Sequence, residues 1–207
     1  MKWRTLLALG ALAMSEEAWA GAADEHLLAG AGHFREERYG EALVEFKVAE
    51  QLGAGPTARY YAAAALQKLG RGEESLEAFA TAVEKAPGER DALLDYYYAL
   101  ACYDVRLYSR ADRLLAAVRE RSGPHIAAMA GKVRADLAPL LQAPPEPVNI
   151  DWYLERGAQA ARAGRMRAAA AYDEEALALA MRRPDHYRAV DALARLKELG
   201  KRGEPPR

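Results

Sequence analysis

Residues 38 to 50 read RYGEALVEFKVAE, and residues 71 to 87 read RGEESLEAFATAVEKAP. Aligned on their small residues, the two stretches share one outline. In the first, Ala42 is followed by Phe46 and Ala49; in the second, Ser75 is followed by Phe79 and Ala82. A third copy holds Ala111, Leu115 and Val118 at the same intervals. Steps of four and then three place all three residues on one helix face, where small positions let a neighbouring helix approach and the bulky one fills the space between.

Another helix precedes each of these. ADEHLLAGAGHFREE leads into Ala42, PTARYYAAAALQKLG into Ser75 and ERDALLDYYYALACYD into Ala111, each with apolar residues at helical spacing. Short turns lie between, at Glu37 to Gly40, Gly70 to Gly72 and Val105 to Ser109. The unit is therefore a helical hairpin. One hairpin of this size cannot bury its apolar face alone, so successive copies are expected to stack into a continuous core.

These residues resemble the tetratricopeptide repeat, a helix-turn-helix unit of about 34 residues. The likeness runs over residues 23 to 124 and is supported by Tyr39, Gly70, Tyr108 and Pro87 near the turns and repeat ends. His26, Arg59 and Asp95 stand where the family often has tryptophan. The copies lie 33 and 36 residues apart (Ala42 to Ser75, Ser75 to Ala111), so a longer connection is expected at the second junction. The resemblance implies an all-α solenoid of about three repeats followed by further helices. It also implies a concave groove that binds a peptide or partner helix, with no catalysis, metal or cofactor. The positions matching the groove are Leu27, Ala31 and Phe34, then Tyr60, Ala64 and Gln67, then Tyr96, Leu100 and Tyr103. The lysine and asparagine pattern with which some members hold a C-terminal carboxylate is missing, since Tyr60, Ala64, Tyr96 and Leu100 occupy those places. An apolar, tyrosine-rich groove suits an amphipathic helix or an extended segment. The competing reading of the tyrosines is packing against the next hairpin.

Composition narrows the partners. The chain has 207 residues with 29 basic and 30 acidic side chains, a net charge of -1, and so no electrostatic bias toward nucleic acid or an anionic membrane. Lys2 and Arg4, the mostly apolar run Thr5 to Met14 and Ala18-Trp19-Ala20 read as a signal peptide cut after Ala20, which places the mature chain in the periplasm or outside the cell. The single cysteine, Cys102, has no partner for a disulfide and reads as a small buried helix residue.

Four segments follow: a signal peptide at 1–20, a solenoid with closing helix at 21–141, a Pro-rich linker at 142–148 and a C-terminal hairpin with tail at 149–207. Ser122-Gly123-Pro124 opens the closing helix, which Pro139 is expected to kink or end, with Lys132, Arg134 and Asp136 on its outer face. The linker reads QAPPEPV, with Asn149 as the cap of the helix that carries Trp152 and Leu154. Gly164 is expected to end that helix, before helices from Met166 to Arg183 and from Asp185 to Leu199. The stretch AARAGRMRAAAAYDEEALALA, residues 160 to 180, fits a degenerate fourth copy only with a one-residue slip.

Chemistry-bearing patterns are sparse. There is no HExxH, CxxC, P-loop, GxSxG or EF-hand motif. His26 and His33 share a helix face near Glu36 and Glu37 but read as solvated side chains rather than a metal site. Arg106, Arg110, Arg113, Arg119 and Arg121 crowd one helix and read as a surface face diluted by Asp104, Asp112 and Glu120. The reading is a non-catalytic envelope adaptor. Its rivals are an enzyme with a site around Trp152, Asp173 and His186, and a structural subunit whose groove is filled by its own C-terminal helices.

Overall fold

The structure is a computed structural model and describes residues 16–86 and 91–203. The described residues form ten helices and no strand: α1 (Glu16–Arg35), α2 (Tyr39–Gln51), α3 (Gly55–Lys68), α4 (Gly72–Lys85), α5 (Ala92–Asp104), α6 (Tyr108–Arg121), α7 (Pro124–Gln142), α8 (Pro147–Arg162), α9 (Met166–Met181) and α10 (Ala189–Gly203). The apolar run from Thr5 to Met14 and Pro87 lie outside the described residues. Helix α1 already begins at Glu16, so the expected cut after Ala20 falls within its span.

One turn recurs and sets the register of the fold. Glu37, Gly70, Arg106 and Gly164 all take positive φ, between 61° and 78°. The amide of the next residue then reaches back to the preceding helix: Arg38 to the His33 carbonyl, Arg71 to Leu66, Leu107 to Cys102 and Arg165 to Ala160, at 2.8 to 3.0 Å. This 6→1 bond, beside the bond from each positive-φ residue, closes the first helix of each hairpin in a Schellman turn. Glycine takes this φ freely, whereas Glu37 and Arg106 hold it under side-chain strain.

Counting from that turn overturns the expected slip in the fourth copy. The amides of Ala42, Ser75, Ala111 and Ala169 bond to the carbonyls of Arg38, Arg71, Leu107 and Arg165, so Ala169 is the fourth small residue. Four residues further on stand Phe46, Phe79, Leu115 and Asp173, each fully buried. The last hairpin is therefore in register with the first three, with a carboxylate at the bulky position. The facing small residue matches too. A Cβ on Gly30 would lie 2.6 Å from the Phe46 ring, and one on Gly157 would lie 2.5 Å from Asp173 Oδ1.

The fold is an all-α helical-hairpin solenoid of tetratricopeptide type. Successive odd helices pack on one another, α1 on α3, α3 on α5 and α5 on α7, while no comparable packing joins α2 to α4 or α4 to α6. The odd helices therefore line the inner side of the curve and the even ones the outer side. The second junction runs from 86 to 91 where the first runs from 52 to 54, which is the longer connection the spacing requires. Helix α7 closes the stack on α6 and α5. Pro139 does not end it: the helix carries on to Gln142, and the Ala143 amide still reaches the Pro139 carbonyl at 3.2 Å. A proline so close to the C-terminus breaks one intrahelical bond, and little helix remains beyond it to bend.

After the extended segment through Glu146, Pro147 rather than Asn149 opens α8, its fixed φ being suited to a first helical position. Helix α10 starts four residues later than expected, at Ala189, because His186 and Arg188 both take positive φ. Helix α9 does not continue the line of the stack. It doubles back onto α4 and α6, the outer helices, and its core is continuous with theirs.

Candidate partner-binding face

Charge as well as apolar surface fixes the returning hairpin. Glu73 of α4 receives Arg156, Arg165 at 2.7 Å and the Tyr172 hydroxyl at 3.2 Å. Arg167 reaches Glu77 and Glu84. Two helix N-termini are capped across the junction. The Ala168 amide at the start of α9 donates to Glu77 Oε2 at 2.9 Å, and the Ser109 amide at the start of α6 donates to Glu175 Oε1 at 2.8 Å. A carboxylate at a helix N-terminus meets both the unpaired amides and the positive end of the dipole.

Burial raises the Glu175 carboxyl above its ordinary value, against the pull of the Ser109 and Arg110 amides. The folded chain then holds that proton more tightly than the unfolded one, so this group's contribution to stability falls as pH rises through the ordinary value of 4.5 toward the raised one. Glu175→Gln removes that slope. The parent's melting temperature, measured against the variant's, is expected to decline as pH climbs from about 4.5 to 7; a difference that is flat or rises contradicts the assignment.

The hairpin leaves the inner face to the odd helices, where the nine groove positions divide. Tyr60, Ala64 and Tyr96 are buried. The Tyr60 hydroxyl donates to the Ala86 carbonyl at 3.2 Å and its ring leans on Phe79, while Tyr96 meets Tyr97 edge-on. These three support the face from within. Leu27, Ala31, Phe34, Gln67, Leu100 and Tyr103 remain partly accessible.

Phe34 spans further than its position suggests. Its ring stands edge-on to Tyr39 at 5.2 Å and to Tyr97 of α5 at 5.6 Å, and the Lys68 ammonium lies over both tyrosines. The inner face is thus narrow at its turn end. Gln67 donates to Asp104 Oδ2 at 2.8 Å, while its own Oε1 is buried and without a hydrogen-bond partner among the described residues. Partial desolvation raises the Asp104 carboxyl above its ordinary value, against the pull of the Gln67 hydrogen bond. Lys68, Tyr97 and Asp104 belong to the face and were missed by spacing from Tyr60 and Tyr96. Each directly follows a groove position on its helix, so a wider stripe would have included them.

The other chemistry-bearing residues are engaged separately. His26 Nδ1 meets Glu45 at 2.6 Å, and Arg38 donates to His33 Nδ1 at 2.9 Å. Asp173 pairs with Arg195 of α10: Arg195 Nε donates to Oδ2 at 3.0 Å, while Oδ1 lies 3.0 Å from Nη2 but has no hydrogen-bond partner among the described residues. Trp152 packs on Tyr153 and Tyr172, and His186 lies exposed in the turn before α10. These three do not share a set of neighbours. In the arginine cluster, Arg110 is held by Glu174 and Tyr98, and Arg121 by the buried Asp95. Burial pushes the Cys102 thiol up to about 12, well away from a reactive thiolate.

No protein family's sequence profile matches the chain, and no curated protein matches it. Among solved structures it is similar to MamA 41-end from Desulfovibrio magneticus RS-1, with a TM-score of 0.41 and 16% identity over 89% of this chain and 98% of that one. It is also similar to the MamA RS-1 ArsTM double mutant, with a TM-score of 0.40 and 17% identity over 88% and 97% of the two chains.

Proposed function

We propose that this chain is a non-catalytic protein-protein interaction scaffold of the cell envelope that holds a peptide or partner helix along the inner face of its solenoid. One observation supports the reading: the returning hairpin packs on α4 and α6, while side chains on α1, α3 and α5 stay partly accessible. Apolar and aromatic side chains there offer contact area at low entropic cost. Envelope residence is supported by the Lys2 to Ala20 pattern. No helix among the described residues is long and apolar enough to cross a membrane.

The test is affinity capture from envelope extract with the chain from Gly21 onward, beside a variant carrying Ala31→Arg and Leu100→Arg. Both positions are partly accessible, so the variant retains its helical circular dichroism. The expected outcome is a protein retained by the parent and lost by the variant, since an unpaired arginine in an apolar interface costs several kcal/mol, roughly the loss of a hundredfold or more in affinity. Capture of the same proteins by both would sink the reading.

A further inference from the structure

We propose that the cleft enclosed by the ends of α6, α7, α8 and α9 is a binding site for a short acyl chain ending in a carboxylate. The cavity measures about 310 Å³, at the small end of the range of about 300 to 1,000 Å³ typical of small-molecule sites. Leu140, Leu141, Val148, Trp152 and Leu179 give it apolar walls. Leu140, Val148 and Trp152 are 45%, 71% and 37% exposed, so large apolar side chains gather at its mouth instead of inside the core. Such a patch marks a place where something apolar docks.

Two arginines in the lining select the ligand's charge. The other arginines of the hairpin are largely taken up by carboxylates: Arg156 and Arg165 by Glu73, Arg167 by Glu77, Arg183 by Asp185, Arg188 by Asp151 and Arg195 by Asp173. Arg106 and Arg182 have no carboxylate partner among the described residues. Arg106 lies over the Trp152 ring at 5.5 Å, and Arg182 donates one bond, 2.8 Å long, to the Ala143 carbonyl. The cavity's own carboxylate, Glu175, is committed to the Ser109 amide. Apolar walls beside two guanidinium groups that lack an acid match an aliphatic chain whose carboxylate meets one or both forks.

Isothermal titration of the full chain with butanoate, hexanoate and octanoate, and with octylamine as the charge-reversed probe, tests the site. Affinity is expected to rise about fourfold for each added methylene, and octylamine is expected not to bind. Arg182→Gln, at an exposed position, should weaken octanoate about tenfold or more through loss of a charge-assisted bond. Arg106→Gly keeps the positive φ of 66° and should weaken it similarly. Four outcomes would each overturn the proposal: no heat with octanoate at millimolar concentration, an affinity independent of chain length, octylamine binding as well as octanoate, or octanoate affinity unchanged in both arginine variants.

Discussion

Phe79→Ala is expected to cost about 3 to 5 kcal/mol and to lower the melting temperature by roughly 6 to 20 °C. Phe79 is fully buried at the bulky position of the second hairpin. Its ring stacks on Tyr98 at 5.1 Å and leans on Tyr60 at 6.4 Å, so it joins α4 to both flanking odd helices. Truncation removes the ring and leaves a cavity between the helices it joins. The cost belongs to packing between repeats, so the readout is cooperative thermal unfolding followed by circular dichroism. A midpoint unchanged within 2 °C would mean that the repeat register is wrong, by the same scaling of roughly 2 to 4 °C per kcal/mol.

The second large effect concerns the fourth hairpin. Arg195→Ala is expected to cost about 3 kcal/mol because it leaves Asp173, fully buried, without its counter-charge. Burial already raises the Asp173 carboxyl above its ordinary range, so in the variant protonation provides partial relief and the loss should shrink as pH falls. The companion is Asp173→Leu combined with Arg195→Met. It restores the apolar bulky residue that the other three hairpins carry, and it is expected to match or exceed the parent's stability, as replacing a buried ion pair by well-packed apolar groups often does. If the single variant melts with the parent, the pair is not what joins α10 to α9.

The sequence carried the first three hairpins plainly because their small and bulky positions repeat without interruption from Ala42 to Val118. It concealed the fourth for a local reason. Tyr172 is the only aromatic near the bulky position, and reading the register from it displaces the copy by one residue, whereas the turn at Gly164 places Asp173 there. A buried carboxylate becomes acceptable only through Arg195, twenty-two residues away on another helix. Pro139 misled in the same way, since its effect depends on how much helix follows it. Of the groove, the helix face was legible but not the depth. Whether Tyr60 and Tyr96 point into solvent or support the face depends on the approach of neighbouring helices, which spacing along one helix does not encode. The return of α9 to the outer face was also hidden, because Glu73, Glu77 and Glu84 read as an ordinary solvated face until their arginine partners arrive from residues 156 to 167.

The central claim is that the C-terminal hairpin occupies the outer, even-helix side and leaves the inner face open to a partner. Cysteine pairs read with a short bifunctional maleimide test it most directly, since Cys102 is buried and contributes no accessible thiol. A chain carrying Glu84→Cys and Arg167→Cys, positions that form an ion pair across the junction, is expected to cross-link within the monomer in high yield. A chain carrying Ala31→Cys and Arg167→Cys, one residue on each side of the solenoid, is expected to remain open. Efficient cross-linking of the second pair and not the first would put the hairpin in the groove and contradict the account.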